Sequence, residues 1–187
     1  INKSFIVQRG LPVREMPKAF LELSGYIRHA ITKKQTGVWI AQREGRAKDS
    51  NDRTQESILK MFALSGTKSF IENLKELNIC PATISYEYDP CDYLKAKEFQ
   101  QKRDNANFKK SPQDDLLNMK TGIMGDKGHV HFTFTPSINA ELEEIATSRD
   151  NRKAQIEAVV KLIDQRIHSN YTIYPINKVA YDELLNT

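Results

Sequence analysis

The chain has 187 residues, 39% of them hydrophobic and 28% charged, which suits one folded domain and excludes a disordered or membrane-spanning chain. Twenty-eight Lys and Arg side chains stand against 24 Asp and Glu side chains, a formal charge of +4. So small an excess does not indicate a nucleic-acid-binding protein, but it is compatible with contact with anionic lipid or anionic small molecules.

Short apolar segments bounded by Gly, Pro or charged residues predict three strands in the first half of the chain, at residues 4–9, 38–41 and 79–88. Between the first two, apolar residues from Phe20 to Ile31 recur at helical spacing. Two further helices are expected, one capped by Thr54 and one that begins at Ser69, where Glu72 completes a capping box. This alternation predicts an α/β fold with a largely parallel or mixed sheet covered by helices.

The second half of the chain is expected to hold one more strand among several helices. A polar helix follows Asp92, and Ser111-Pro112 is typical of a helix start. Residues 129–135 alternate strictly between apolar and polar side chains, which predicts a strand. Residues 137–187 then read as a mostly helical C-terminal extension of a single domain over residues 1–187.

Cysteine and histidine residues give little indication of metal or redox chemistry. Two cysteines, Cys80 and Cys91, cannot form a zinc site alone, and they favour a reducing, cytoplasmic setting. His129 and His131 face the same way on the predicted strand but lack two further ligands, so we expect no metal and interpret them as a half-exposed polar face. No segment approaches the roughly 20 apolar residues of a spanning helix.

The charged loop that follows the second predicted strand is the most informative stretch for function. It contains Arg43, Glu44, Gly45, Arg46 and Lys48. Ligands of α/β sheets bind at the carboxyl ends of strands, where arginines can hold a phosphate and glycine lets the backbone approach it. A solvated charged loop is the alternative interpretation. Arg9 ends the first predicted strand, and parallel strands would bring it to the same edge of the sheet.

These elements resemble, in their order, the glycerol-phosphate and lysophosphatidate acyltransferase family. The first is Phe5-Ile6-Val7-Gln8-Arg9, an apolar strand that ends in Arg, and the second is Val38-Trp39-Ile40 running into Glu44-Gly45-Arg46. The third is the strand around Pro81-Ala82-Thr83-Ile84, and the closing strand is His129-Val130-His131-Phe132. The resemblance spans about residues 2 to 145. The loop reads Arg-Glu-Gly-Arg where the family commonly has Pro-Glu-Gly-Thr-Arg.

The resemblance implies transfer of a fatty acyl group from acyl-CoA or acyl carrier protein to a hydroxyl of a glycerol-phosphate-type acceptor. It implies that Arg9 holds the acceptor phosphate and that Glu44 and Gly45 shape the acceptor site. Arg46 is a second cation there, and Pro81 belongs to a packing or acyl-donor element. The thioester is a co-substrate, no other cofactor is expected, and the protein is expected in the cytoplasm with peripheral contact with an anionic membrane.

The family's catalytic pair, a His followed by an Asp five positions later, is not found in the sequence. In the family this pair precedes the strand that ends in Arg, so we expect it upstream of Ile1. One alternative is a catalytically inactive relative that binds an anion or a lipid headgroup. Another is an α/β interaction module whose basic loop meets RNA or an acidic partner, which the lack of an aromatic and basic platform disfavours.

Overall fold

A computed structural model of the chain describes residues 11–42 and 51–186. Contacts divide the chain into two compact units, the first formed by Ile1–Pro81 and Phe134–Ser169 and the second by Ala82–Thr133 and Asn170–Thr187. The single domain expected over residues 1–187 stays a prediction. The described elements, in chain order, are α1 (Met16–Thr32), α2 (Glu56–Leu64), α3 (Phe70–Lys75), β1 (Ala82–Tyr86), α4 (Asp92–Asp104), α5 (Pro112–Met124), β2 (Val130–Phe134), α6 (Asn139–Ser148), α7 (Arg152–His168) and α8 (Pro175–Leu185).

The α/β class is confirmed, but the expected parallel sheet is wrong for the part of the chain that the structure describes. There β1 and β2 form a two-stranded sheet. Glu87 N donates to His129 O at 2.9 Å and Thr135 N donates to Pro81 O at 3.0 Å, which is an antiparallel register. Alternation of strands and helices does not fix strand direction. The chain passes through α4 and α5 and returns beside β1 in the opposite sense.

The strand expected at residues 38–41 is not formed, and that segment is irregular chain. Its indole, Trp39, is 60% exposed and lies edge-on to the Phe134 ring, with 6.1 Å between the ring centroids. A short apolar run is typical of a buried strand. Here the run joins no sheet, and its Trp39 side chain makes an aromatic contact with Phe134 instead. The strand expected at residues 4–9 lies outside the described residues.

Helix α7 follows the apolar spacing of the sequence, and α1 follows it in part, since Phe20 is 42% exposed. On α1 the buried positions are Ser24, Ile27 and Ala30, and on α7 the buried stripe runs from Ile156 to Ile167. Leu59, Leu74, Ile138, Leu142 and Val159 are at most 1% exposed and form the centre of this core. Burying each such side chain stabilises the fold by about 1.5–3 kcal/mol.

A nearly buried arginine links the first three helices of this unit. Arg28, whose side chain is 14% exposed, forms an ion pair with Glu76. Its Nη2 donates to the carbonyl oxygens of Phe62 at 3.3 Å and Asn73 at 3.1 Å, and its Nε donates to Ser65 Oγ at 3.2 Å. Since Phe62 lies in the last turn of α2, the guanidinium caps the negative end of that helix.

Two of the three helix starts that the sequence predicts from local capping signals are confirmed, those at Ser69 and Ser111. Ser69 Oγ accepts from Glu72 N at 3.3 Å, while Glu72 accepts in return from Ser69 N at 3.1 Å. Ser111 and Asp114 repeat this reciprocal pair at the start of α5, with Pro112 in the first turn. Three helices, α6, α7 and α8, lie within residues 137–187.

In the second unit the sheet buries polar side chains and exposes apolar ones. Thr83 and Ser85 on β1 are 3% and 7% exposed, and Ser85 Oγ accepts from Thr172 N at 3.0 Å. Tyr86 and Phe132 are 42% and 53% exposed. Both histidines of β2 and its flank are exposed, in keeping with the polar face expected for them.

Candidate functional site

Four of the five predicted site residues lie outside the described residues: Arg9, Glu44, Gly45 and Arg46. The fifth, Pro81, is described. The structure does describe the residues on either side of the charged loop, Gln42 and 51–55, which we call the frame of the loop. Contacts among the described residues hold this frame in place.

The two sides of the charged loop are joined by a backbone hydrogen bond. Gln55 N donates to Gln42 O at 2.9 Å, so the chain that leaves at Gln42 is fixed to the chain that follows Asn51. When the two ends of a loop are already held together, less conformational entropy is lost as its side chains bind one ligand. The base of the charged loop is thus part of the folded first unit.

A second set of contacts holds the returning chain to α7. Thr54 donates from both its backbone N and its Oγ1 to Asp164 Oδ1, at 2.8 Å and 2.7 Å. Thr54 was expected to cap α2, but the N-cap of that helix is Gln55, which makes no side-chain capping bond. The Thr54 hydroxyl makes a tertiary contact instead, and Thr54 is 8% exposed.

The last turn of α7 contributes a third contact. His168 Nε2 donates to Asp52 O at 2.7 Å, because a carbonyl oxygen can only accept. Asp164 and His168 lie one helical turn apart and so reach the same short segment. Sequence reasoning missed both residues, since no local signal marks a helix that receives a loop more than a hundred residues away.

Pro81 has the contacts of a packing residue. It is buried, and its carbonyl oxygen accepts from both the backbone N and the Oγ1 of Thr135, each at 3.0 Å. These two hydrogen bonds from Thr135 fix the position of the chain at the start of β1. The contacts explain a structural role for Pro81, and an acyl-donor role stays a prediction.

A carboxylate and an imidazole form a second polar cluster, in the second unit. Glu87 Oε2 accepts from His129 N at 2.9 Å and lies 2.5 Å from His129 Nδ1. The hydrogen bonds from the His129 backbone and then its ring hold the pKa of Glu87 below its usual value. The His129 ring also stacks on the Tyr174 ring, with centroids 6.4 Å apart.

This cluster orients an imidazole whose side chain is 84% exposed. A carboxylate that holds one ring nitrogen leaves the other available, which is the arrangement of an imidazole base. The sequence interpretation missed the pair because it expected a largely parallel or mixed sheet and did not pair these two strands with each other. In the antiparallel register Glu87 lies directly opposite His129. A prediction of that register would therefore have identified the pair of Glu87 and His129.

Residues 11–42 and 51–186 contain no group of three or more His, Cys, Asp or Glu side chains arranged to hold a metal ion. Across the same ranges, none of the helices combines the length and the apolar character that crossing a membrane requires. Comparison of the chain with protein-family models, with curated proteins and with solved structures finds no match.

Proposed function

We propose that the protein is an acyltransferase that moves a fatty acyl group from a thioester carrier to a hydroxyl of a glycerol-phosphate-type acceptor. The observation that carries the proposal is the order of the motifs along the sequence: an apolar run that ends in Arg9, the Glu44-Gly45-Arg46 motif after the next apolar run, and the Pro81 segment before an alternating run. Each motif alone is common, and the ordered set is what resembles the family.

The frame of the charged loop supports this proposal. The hydrogen bond between Gln55 and Gln42 and the anchoring of Thr54 on Asp164 hold the base of the loop to the core of the first unit. A site for a phosphate-bearing acceptor needs cations held near a fixed point, because positioning supplies much of the rate of a two-substrate reaction. An anchored loop base is suited to that task.

In the proposed reaction the acceptor hydroxyl attacks the thioester carbonyl carbon. A base takes the hydroxyl proton, the carbon–sulfur bond breaks, and the carrier leaves as a thiol once it is protonated. Arg9 and Arg46 hold the acceptor phosphate, and Glu44 orients the cations of the loop. By the resemblance the base is a His–Asp pair, and none of the four histidines of the 187 residues is followed by Asp five positions later.

The carrier in this proposal is acyl-CoA or acyl carrier protein, and the acceptor is a glycerol phosphate or a lysophospholipid. Lysophospholipid acceptors and the acylated products reside at membranes, so the proposal includes peripheral contact with the inner, cytoplasmic face of an anionic membrane. Nucleic acid is not among the proposed partners.

Steady-state kinetics of the complete gene product, with acceptor and donor varied separately, test the phosphate site. Arg9→Ala removes a charge-assisted hydrogen bond worth about 1.5–3 kcal/mol, so acceptor kcat/KM should fall about ten- to two-hundred-fold while donor KM changes little. Arg9→Lys should recover only part, because a point charge replaces a bidentate fork. Glu44→Gln should lower turnover, since it removes the negative charge that orders the cations of the loop.

The matched control is Arg14→Ala, since the Arg14 side chain is 85% exposed and pairs only loosely with Glu15, at 3.6 Å. Arg14→Ala should leave the acceptor kcat/KM and the donor KM unchanged. Equal acceptor kinetics for Arg9→Ala and the wild type would contradict the phosphate role of Arg9.

One observation favours a second candidate, an inactive relative that binds an anion or a lipid headgroup. None of the four histidines is followed by Asp five positions later. Under this candidate the complete gene product would bind glycerol phosphate without acceptor-dependent thiol release, and Arg9→Ala would weaken that binding.

A further inference from the structure

Helix α5 of the second unit exposes nearly all of its large apolar side chains. Their exposed fractions lie between 47% for Met119 and 77% for Met124. At 100° per residue they fall on one continuous arc of the helix. The members of this apolar arc are Leu116, Leu117, Met119, Ile123 and Met124.

The opposite side of α5 is the side that packs. Asn118, Thr121 and Gly122 are half-buried. Cys91 Sγ donates to Asn118 O at 3.4 Å, and a Cβ on Gly122 would lie 3.4 Å from the same sulfur. The helix therefore uses small and polar residues to pack within the second unit, while the described chain leaves its apolar arc uncovered.

Charge distinguishes the apolar arc from the rest of the helix. Lys120 lies within the arc, four residues after Leu116 and three before Ile123, and it is exposed. Asp114 and Asp115 fall on the other side of the helix. Asp114 belongs to the capping box, and Asp115 pairs with Lys110 at 3.2 Å. A cation at the centre of an uncovered apolar arc, with the acids turned away, is complementary to an anionic lipid surface.

Helix α8 of the same unit also exposes apolar residues but carries the opposite charge among them. Ile176 and Val179 are 41% and 53% exposed. Glu183 lies seven residues after Ile176 and four after Val179, so its carboxylate falls in their midst. An anionic membrane would repel this arrangement, which makes α8 a matched control for α5.

We propose that α5 docks the protein on a membrane that contains anionic lipid. The helix has 13 residues and is about 20 Å long, so it lies along the interface and does not cross the bilayer. Its apolar arc enters the boundary between headgroups and acyl chains, and Lys120 extends its ammonium to the lipid phosphates. This inference rests on the proposed function only for the choice of lipid as the partner.

Co-sedimentation of the 187-residue chain with vesicles tests the docking. The vesicles are phosphatidylcholine alone or an equimolar mixture of phosphatidylcholine and phosphatidylglycerol. The wild type should bind the mixed vesicles more strongly. The double variant Leu116→Ser/Ile123→Ser should bind both kinds about ten-fold or more weakly, because two inserted side chains lose their apolar surface. Lys120→Gln should bind the mixed vesicles about five-fold more weakly and the neutral vesicles unchanged.

The control double variant Ile176→Ser/Val179→Ser, in α8, should bind both kinds of vesicle like the wild type. All five substituted residues are exposed, so each variant should keep its fold. Urea unfolding of every variant shows whether a loss of binding reflects a loss of fold. If the α5 double variant unfolds, Lys120→Gln still tests the proposal through its weaker binding to the mixed vesicles.

Three results would overturn the docking role of α5: no binding of the wild type to mixed vesicles, equal loss from the α5 and α8 variants, or a dimer in sedimentation equilibrium that only the α5 variant breaks. The last result would assign the apolar arc to a second copy of the chain. Vesicle binding requires no turnover, so its failure is distinct from a failure of acyl transfer, which is assayed with water-soluble glycerol phosphate.

Discussion

At the scale of single residues, two part-buried hydrogen bonds between Thr54 and Asp164 hold the frame beside the charged loop. The sequence predicts the capping box at Ser69 and the helix start at Ser111 correctly because each signal lies within four consecutive residues. It could not predict the pairing of Thr54 with Asp164, since 110 positions separate them. Local chemistry is legible in the sequence, whereas a tertiary partner for a hydroxyl depends on where the chain returns.

Thr54→Val should destabilise the first unit by about 1.5–3 kcal/mol. The substitution keeps the shape of the side chain but removes the Oγ1 donor 2.7 Å from a carboxylate, and Thr54 is 8% exposed. Urea unfolding followed by circular dichroism gives the value. Thr147→Val is the control, because the Thr147 hydroxyl is exposed and donates only to carbonyls of its own helix. Equal unfolding midpoints for Thr54→Val and Thr147→Val would show that the contact with Asp164 is not stabilising.

At the scale of secondary-structure elements, helices were predicted far better than sheet geometry. The apolar spacing that defines α1 and α7 is a local property. The buried residues of α7 follow it, and on α1 Ile27 and Ala30 follow it while Phe20 is 42% exposed. Strand existence near residues 82–86 and 130–134 was also predicted, but direction was not. Direction depends on the route of the whole connection between two strands, which no local pattern encodes.

Gly128→Ala should disturb the turn that leads into β2. Gly128 has φ +57°, and a Cβ there would lie 2.6 Å from Glu87 Oε2 and 2.7 Å from the Tyr88 ring. The left-handed backbone alone costs an alanine about 1–2 kcal/mol, so the variant should unfold at lower urea and loosen the contact between Glu87 and His129. Gly25→Ala in α1 is the control. It meets nothing within 4 Å and should stabilise by about 0.5–1 kcal/mol. Equal effects of the two substitutions would contradict the described turn.

At the scale of the whole molecule, hydrogen-bonded carboxylates predict a loss of stability in acid. Among the described residues, hydrogen bonds from hydroxyl, ammonium or backbone N–H groups hold the pKa of several carboxyls below the usual value: Glu72, Glu76, Glu87, Asp114, Glu141 and Glu143. A carboxyl with a lowered folded pKa stabilises the fold above its unfolded pKa, about 4, and loses that contribution as pH falls through the folded pKa.

The free energy of unfolding should therefore be steady from neutral pH to about pH 5 and fall below about pH 4. Glu143→Gln, which removes the carboxylate that pairs with Lys75, should reduce that fall, while Glu157→Gln, whose partner Lys153 is 3.9 Å away and 86% exposed, should not. Urea unfolding at each pH gives the profile. A profile that is flat to pH 2, or that responds equally to both substitutions, would contradict the assigned pairs.

At the same scale, the candidate site could be predicted only from the order of motifs along the chain. The charged loop was identified because it combines cations with a glycine after an apolar run, and Arg9 because it ends another. The frame formed by Gln42, Thr54 and α7 needed the structure, since its contacts join distant parts of the sequence.

Acceptor-dependent release of thiol from an acyl thioester, followed with a thiol reagent, tests the central claim most directly. The complete gene product should release thiol from acyl-CoA or acyl carrier protein when glycerol phosphate or a lysophospholipid is added. The 187-residue chain alone should not, because none of its four histidines is followed by Asp five positions later. Turnover by the chain alone would make a histidine within it the base, and His129→Asn, at the imidazole that Glu87 orients, would be the first variant to assay. Thiol release by the complete gene product that is independent of every phosphate-bearing acceptor, or absent with all of them, would contradict the proposed acyltransferase.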